Sequence, residues 1–272
     1  MSKLTVRGLE VNIRIWHEQA RETLILLHGF TGTVATWEKL VEQLPESLRI
    51  IAVDLTGHGE TSVPAEASRY SMDEQIKDLE ALFTQLDLQE FTLLGYSMGG
   101  RVALSYTANY PQRVKRLILE STSPGLQIAE ERLARRKSDE ALAENIEQNG
   151  IEAFVDKWEN IPLFASQKKL SLDVQQAIRK ERLSQNTQGL ANSLRGMGTG
   201  AQPSVWEVLQ DIHVPVFLIT GALDEKFCRI AKQMKQLLPI ATTIEVEEVG
   251  HAIHVENPQD FATIVKETIS KE

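Results

Sequence analysis

Cysteine is almost absent from this chain of 272 residues, in which Cys228 is the single example. A lone thiol forms no internal disulfide and no thiolate metal cluster, which is typical of proteins in a reducing cytosol. Long apolar runs are also missing: the longest, such as residues 24–27 and 216–219, are far below the ~18 residues of a membrane span. The start, MSKLTVRGLEV, has no apolar signal-peptide core. We therefore expect a cytoplasmic protein that does not enter a membrane.

An excess of positive charge is lacking as well. The chain has 29 lysines and arginines against 38 aspartates and glutamates, for a net charge of -9. Such a surface would repel nucleic acid, so we expect no nucleic-acid partner. Apolar residues make up 42% and charged residues 25%, as in ordinary globular proteins, which excludes a disordered or fibrous chain.

Motifs for metals and cofactors are missing too. The sequence has no HExxH segment, no cysteine cluster and no phosphate-binding P-loop. Ser97 stands where a dinucleotide-binding fingerprint would need its second glycine. We expect neither a metal nor a cofactor.

Short apolar segments alternate with amphipathic ones along most of the chain. After an opening hairpin at 3–7 and 10–16, candidate strands lie at 23–27, 49–53, 91–94, 115–119, 216–219 and 243–246. Candidate helices lie between or after them, at 36–43, 71–86, 98–109, 226–237 and 258–270. Ser71 and Glu74 fit a capping box at the start of the second helix. The alternation predicts an α/β protein with a mostly parallel sheet and helices on both faces.

Residues 123–203 have almost no strand signal, and helical patterns occur at 129–149, 151–159, 172–184 and 190–196. Glycines such as Gly150 and Gly189 separate these patterns. We predict a helical cap at 123–203, inserted into a core formed by 1–122 and 204–272. The cap is neutral, with 11 basic and 11 acidic residues by count, so the negative charge belongs to the core. Its arginines are either solvated and ion-paired or turned inward to meet an anionic substrate.

Ser97 is the strongest candidate for chemistry. It is the central residue of Gly95-Tyr96-Ser97-Met98-Gly99, a G-x-S-x-G segment between a predicted strand and a predicted helix. Small residues at 95 and 99 permit a sharp turn, which would hold the hydroxyl at the sheet edge beside a helix N-terminus. A serine hydroxyl needs a partner that takes its proton. The alternative is a glycine-rich turn without chemistry.

His251 is the best candidate for that partner. It follows a late strand, in the chain order Ser…Asp…His, and His254 is its near competitor. Asp224 would orient the histidine and stabilise its cation, with Glu225 as the backup carboxylate. Asp224 could instead be a simple helix N-cap.

A second loop, His28-Gly29-Phe30-Thr31-Gly32, follows the first central strand. An HG-x-x-G loop in that position usually supplies an oxyanion-hole amide. We predict the backbone N–H groups of Phe30 and Met98 as the two donors, the alternative being an ordinary turn. In the loop DLTGHGET, 54–61, we expect a structural role and no proton transfer by His58.

These segments together resemble the α/β-hydrolase superfamily, since HGFTG, DLTGHGET, GYSMGG, GALDEKF and VGHAIHVENP occur in that family's order. GYSMGGR, SPGLQIAEER, WENIPLFAS and DEKF are similar to the 2-succinyl-6-hydroxy-2,4-cyclohexadiene-1-carboxylate synthases of menaquinone (vitamin K2) biosynthesis. The resemblance implies an α/β-hydrolase fold with a cap. It also implies a carbon–oxygen lyase that eliminates pyruvate from 2-succinyl-5-enolpyruvyl-6-hydroxy-3-cyclohexene-1-carboxylate.

The resemblance alone implies five substrate-binding residues, namely Tyr96, Arg101, Arg135, Trp158 and Arg182. The implied substrate carries three carboxylates, and a guanidinium group binds a carboxylate through two parallel hydrogen bonds. Arg132 and Arg136 adjoin Arg135, so a shift in register would move that assignment. The alternative for each arginine is a solvated helix face.

In the implied reaction, His251 takes the proton of Ser97, and the alkoxide removes a proton next to the succinyl ketone. A carboxylesterase or a carbon–carbon bond hydrolase would use the same triad, and a small-molecule receptor could keep it without turnover. Ser97 argues against dehalogenases and epoxide hydrolases of this fold, which have aspartate at that position. No oligomeric state is predicted.

Overall fold

A single mixed sheet forms the centre of the computed structural model, which describes residues 2–270. Its eight strands are β1 (Ser2–Val6), β2 (Leu9–Trp16), β3 (Glu22–Leu27), β4 (Leu48–Val53), β5 (Phe91–Tyr96), β6 (Val114–Glu120), β7 (Val216–Gly221) and β8 (Ala241–Val246). They lie in the order β1-β2-β4-β3-β5-β6-β7-β8. β2 is antiparallel to both of its neighbours, and all other pairs are parallel. The mostly parallel sheet predicted from the sequence is confirmed.

Helices cover both faces of this sheet. They are α1 (Glu38–Val41), α2 (Met72–Gln85), α3 (Met98–Asn109), α4 (Ala129–Trp158), α5 (Leu172–Leu183), α6 (Thr187–Met197), α7 (Glu225–Leu237), α8 (Ile253–Glu256) and α9 (Pro258–Ser270). Short 3₁₀ segments lie at Val34–Trp37, Ala67–Tyr70, Pro111–Arg113, Pro162–Lys169 and Leu209–Asp211. One apolar cluster joins the sheet to α2, α3 and α7, and another joins its opposite face to α1 and α9. No helix in residues 2–270 is both long and apolar enough to span a membrane.

Two local predictions differ from the structure. The helix expected at 36–43 is a 3₁₀ segment followed by the short helix α1, because Thr33 caps the chain earlier by accepting from the N–H of Ala35. The capping box at α2 is only half formed. Ser71 Oγ accepts from the N–H of Glu74 at 3.3 Å, but the Glu74 carboxylate accepts from Arg7 at 2.9 Å instead of turning back to the cap.

Helices α4, α5 and α6 lie between β6 and β7, where the described chain contains no strand. Gly150 interrupts α4 with φ 79°, as its position between two helical patterns predicted. Gly189, in contrast, lies inside α6. A Cβ there would come within 2.1 Å of the Gly57 carbonyl oxygen, so the glycine lets α6 approach a core loop closely. The exact division at 123–203 stays a prediction.

Candidate active site

Ser97 occupies a strained turn between β5 and α3. Its φ of 50° and ψ of -105° lie outside the allowed regions for a residue with a side chain, at a cost of roughly 1–3 kcal/mol. The turn is held by a bond from the Ser97 N–H to the Glu120 carbonyl at 2.9 Å and one from Thr122 Oγ1 to the Ser97 carbonyl at 2.8 Å. A Cβ on Gly99 would come within 2.2 Å of the Leu27 carbonyl oxygen, so α3 can begin at this point only with glycine there.

His251 connects Ser97 to Asp224. Its Nε2 lies 3.0 Å from Ser97 Oγ, and its Nδ1 lies 2.6 Å from Asp224 Oδ2. An aspartate that accepts from Nδ1–H leaves Nε2 free to accept the serine proton. His251 is 1% exposed and Asp224 7% exposed, so little solvent competes for these bonds. The structure brings together the three residues predicted for the triad, and their catalytic roles stay predictions.

Asp224 also has the alternative role that the sequence left open. Its Oδ1 accepts from the N–H of Phe227 at 3.3 Å, as an N-cap of α7 does. The aspartate therefore caps a helix with one oxygen and contacts His251 with the other. Glu225, the backup carboxylate, is exposed and pairs with Arg229 at 3.4 Å.

His254 is held in a different buried pair. Its ring Nδ1 and its backbone N–H contact the carboxylate of Glu120, at 2.9 Å and 3.1 Å. Its ring packs against Trp37 and Tyr96, with centroids 4.9 Å and 4.6 Å away. In the described contacts His254 is therefore bound to Glu120, Trp37 and Tyr96, and not to Ser97.

Glu120 and Glu256 are site residues that the sequence reasoning missed. Glu120 is fully buried and its side chain anchors His254, while its carbonyl accepts from Ser97. Glu256 accepts from the N–H of Gly250 at 2.7 Å and so holds the loop that carries His251. The sequence offers a weak signal for Glu256, because it lies within the quoted segment VGHAIHVENP.

The two predicted oxyanion donors lie at one sheet edge. Phe30 follows β3, Met98 is the first residue of α3, and both residues line the cavity that contains Ser97. Among the backbone hydrogen bonds of residues 2–270 that lie outside helices and strands, none has the N–H of Phe30 or of Met98 as its donor. Thr31, directly after Phe30, has φ 70°, which is unusual for a β-branched residue. The pairing of the two amides as an oxyanion hole stays a prediction.

The histidines of the neighbouring loops have structural partners. His28 Nε2 accepts from the N–H of Leu55 at 3.0 Å, and its Nδ1 donates to the Gly29 carbonyl at 2.8 Å. Burial lowers the pKa of His28 to about 4 and that of His58 to about 3, so both rings are neutral at pH 7. Neither of them lines the cavity with Ser97.

The cavity around Ser97 has a volume of about 250 Å³ and lies between the core and helices α4 and α6. Aromatic side chains form much of its wall, and they belong to Phe30, Tyr96, Trp158, Phe164, Trp206 and Phe227. Three cationic side chains also line it, those of Arg101, Arg135 and Lys226. Among the described residues, no aspartate or glutamate does so. The cavity is therefore suited to an anionic ligand with an apolar body.

Arg101 and Arg135 lie together in this wall. Arg101 Nη1 donates to the Met197 carbonyl at 2.7 Å and to Gln202 Oε1, both neutral oxygens. Burial and the nearby Arg135 lower the pKa of Arg101 to about 10, so it remains a cation at pH 7. Arg135 Nε lies 2.7 Å from Asp139 Oδ1, and its side chain is 42% exposed. Both arginines predicted from the resemblance at these positions therefore reach the cavity.

Trp158 and Tyr96 supply polar atoms next to apolar surface. The Trp158 ring lies 5.5 Å from that of Phe30, and its Nε1 is a buried donor without a protein acceptor. Burial raises the pKa of Tyr96 well above its usual value, so its hydroxyl stays protonated. Trp158 Nε1 can therefore donate to a bound ligand, and Tyr96 adds a neutral phenol to the wall.

Arg182 lies beside this cavity. Its guanidinium stacks on Phe164, 4.6 Å from the ring centre, and its Nη2 donates to Gln167 Oε1 at 3.1 Å. It lines a depression that shares Phe30, Tyr96 and Phe164 with the cavity around Ser97, and a second depression on the cap. The substrate-binding role implied for Arg182 stays a prediction.

Lys226 is a cation of the cavity that the sequence reasoning missed. It lies in the first turn of α7, with Nζ 5.5 Å from the centre of the Phe227 ring. The signal was present, because Lys226 belongs to the quoted segment DEKF. Its place next to the triad aspartate becomes evident only when α7 is packed on the sheet.

Comparison with known proteins assigns the chain to a family. Residues 22–258 match the α/β-hydrolase fold family. The chain belongs to that family. It is 49% identical over 251 residues to a Bacillus subtilis (strain 168) protein with the provisional name 2-succinyl-6-hydroxy-2,4-cyclohexadiene-1-carboxylate synthase, covering 92% of this chain and 91% of that protein. The same synthase of Salmonella agona (strain SL483) is 32% identical over 237 residues, covering 87% and 89%.

A solved structure gives the same family. The structure of MenH from S. aureus matches with a TM-score of 0.90 and 37% identity, over 95% of this chain and 97% of that one. The family membership and the fold predicted from the sequence motifs are both confirmed.

The geometry predicts that a fluorophosphonate probe labels Ser97. His251→Gln removes the group that accepts the serine proton and should slow labelling by at least about a hundredfold. His213→Gln, at an exposed histidine, is the control and should label at the wild-type rate. Intact-mass spectrometry over time measures both rates. Equal labelling of the His251 variant and the wild type would contradict the predicted activation of Ser97.

Proposed function

We propose that this protein eliminates pyruvate from 2-succinyl-5-enolpyruvyl-6-hydroxy-3-cyclohexene-1-carboxylate, which gives 2-succinyl-6-hydroxy-2,4-cyclohexadiene-1-carboxylate for menaquinone biosynthesis. One observation carries the proposal: a Ser-His-Asp array opens into a cavity lined by three cations and by no described carboxylate. The synthase relatives, at 49% and 32% identity, bear names that agree with it.

The reaction begins with proton transfer. Asp224 orients His251, His251 takes the proton of Ser97, and the Ser97 oxygen removes the proton on the ring carbon next to the succinyl ketone. The electron pair of that C–H bond moves into the ring, the ring double bond shifts, and the bond to the enolpyruvyl oxygen breaks. The departing enolpyruvate gains the proton that His251 took from Ser97 and becomes pyruvate, which returns His251 to its neutral form. Ser97 acts as a base, and no acyl-enzyme forms.

The backbone amides of Phe30 and Met98 are proposed to bind the oxygen of the succinyl ketone. This oxygen takes on negative charge, as in an enolate, when the neighbouring proton is removed. Donors aimed at such an oxygen are worth roughly 3–4 kcal/mol each when they are fixed in advance. The apolar wall around Ser97 strengthens these interactions because it excludes water.

The substrate's three carboxylates need cationic partners, because an unpaired carboxylate is costly to bury. We assign this task to Arg101, Arg135 and Lys226, the three cations of the cavity. The two oxygens that accept hydrogen bonds from Arg101 are both uncharged. A carboxylate of the substrate would therefore be the first anion to accept a hydrogen bond from this guanidinium. Trp158 Nε1 and the Tyr96 hydroxyl would donate to the same ligand.

The cap at 123–203 is proposed to close over this substrate, with the core formed by 1–122 and 204–272. A small anionic substrate, no nucleic-acid partner and a cytoplasmic location complete the proposal. The rival function is a hydrolase, in which Ser97 attacks an ester or ketone carbonyl as a nucleophile.

The first test follows pyruvate release from the enolpyruvyl substrate with lactate dehydrogenase and NADH. The wild-type protein should turn over many times, and Ser97→Ala should lose at least about a thousandfold in kcat because the base is gone. Ser138→Ala, at an exposed cap serine, is the control. Absence of pyruvate, or undiminished turnover by Ser97→Ala, would contradict the proposal. Rapid ester cleavage with a stoichiometric burst, without pyruvate release, would favour the hydrolase.

The second test separates the cations. Arg101→Met, Arg135→Met and Lys226→Met should each raise KM about 10- to 100-fold, the range expected for loss of a hydrogen bond to a charged group. Lys232→Met is a matched control on the same helix as Lys226. A KM effect of Lys232→Met as large as that of Lys226→Met would overturn the assignment of Lys226.

A further inference from the structure

A glutamate of the cap contacts the loop that carries Phe30. Glu181, near the end of α5, accepts through Oε1 from the Thr33 N–H at 2.9 Å, Thr33 Oγ1 at 2.8 Å and Thr36 Oγ1 at 2.6 Å. Burial raises the pKa of Glu181, and these bonds oppose the rise. A carboxylate held in this way is costly to bury and is absent from the mechanism described above.

Gln185, just after the end of α5, reinforces the same contact. Its Nε2 donates to the Gly32 carbonyl at 3.4 Å, and its Oε1 accepts from the Gly59 N–H at 3.2 Å. The segment 181–185 therefore bonds two core loops, and one of these is the loop with Phe30.

The held loop has a backbone that needs outside support. Thr31 lies between Phe30 and Gly32 with φ 70°, and within the loop the Gly32 N–H donates to the Gly29 carbonyl at 3.0 Å. Strained backbone at a functional site persists only where its surroundings fix it. Glu181 fixes the residues that follow, at Thr33 and Thr36.

We propose that Glu181 is a positioning residue, through which the docked cap holds the Phe30 amide in place toward the oxygen that becomes negative in the reaction. The proposal rests on the proposed function for the identity of that reaction. All three hydrogen bonds of Glu181 Oε1 go to Thr33 and Thr36, so the carboxylate is directed at the chain that follows Phe30.

The experiment compares Glu181→Gln and Glu181→Ala with Glu140→Gln. Glu140 is a cap glutamate that pairs with Arg195 inside the cap, 2.8 Å away, and does not contact the Phe30 loop. We expect kcat for pyruvate release to fall about tenfold in Glu181→Gln and about a hundredfold in Glu181→Ala, with KM within about threefold. Glu140→Gln should keep both constants. Thr36→Val, which removes one donor on the core side, should lower kcat in the same direction.

Ser97 labelling by the fluorophosphonate provides a readout independent of the natural substrate, because its phosphoryl oxygen also needs the oxyanion donors. The labelling rate should be highest in the wild type, lower in Glu181→Gln and lowest in Glu181→Ala. Each rate is divided by the amount of folded protein, which is counted as the total serine that the probe finally labels. If the wild type labels normally but releases no pyruvate, the proposed function fails, and the labelling order still tests Glu181. Unchanged kcat and labelling, a rise in KM alone, or losses explained entirely by the unfolded fraction would each overturn the positioning role.

Discussion

The hydrogen bond between Ser97 Oγ and His251 Nε2, at 3.0 Å, is the interaction on which the proposed chemistry depends. The two residues are far apart in the sequence, so only the fold brings them together. Ser97 follows the central strand β5, and His251 follows β8, the last strand of the sheet. Parallel strands place their carboxyl ends on one side, so the two loops meet there. The strained Ser97 turn, the glycines behind it and the buried Asp224 all serve to keep this contact in place.

Electrostatics separates the cavity from the rest of the molecule. The chain carries a net charge of -9, yet the wall around Ser97 combines three cations with no described carboxylate. The cations of the cavity favour ligands with anionic groups, whereas the acidic remainder of the molecule repels such ligands from other parts of the surface. The same wall leaves a buried indole N–H of Trp158 unpaired, which is consistent with a ligand that accepts a hydrogen bond there.

Much of the fold was predictable because local pattern and global topology agree. The strand–turn–helix around Ser97, the order of Asp224 and His251, and the break at Gly150 follow from short segments alone. The positions of Arg182 and Lys226 were not predictable in this way. Both depend on how a helix rotates and packs, so a residue in the right segment can face a neighbouring depression, as Arg182 does. The Glu120–His254 pair and the Glu181 contact join residues more than 100 positions apart, for which the sequence gives no spacing signal.

Substitution of Asp224 by asparagine tests the central claim most directly. An amide of the same shape keeps the packing but no longer holds the His251 tautomer that accepts the Ser97 proton. We predict a fall of about 10⁴-fold in kcat for pyruvate release, with the melting temperature little changed and Glu225→Gln behaving as wild type. Turnover by Asp224→Asn within about tenfold of the wild type would contradict the proposed transfer of a proton from Ser97 to His251.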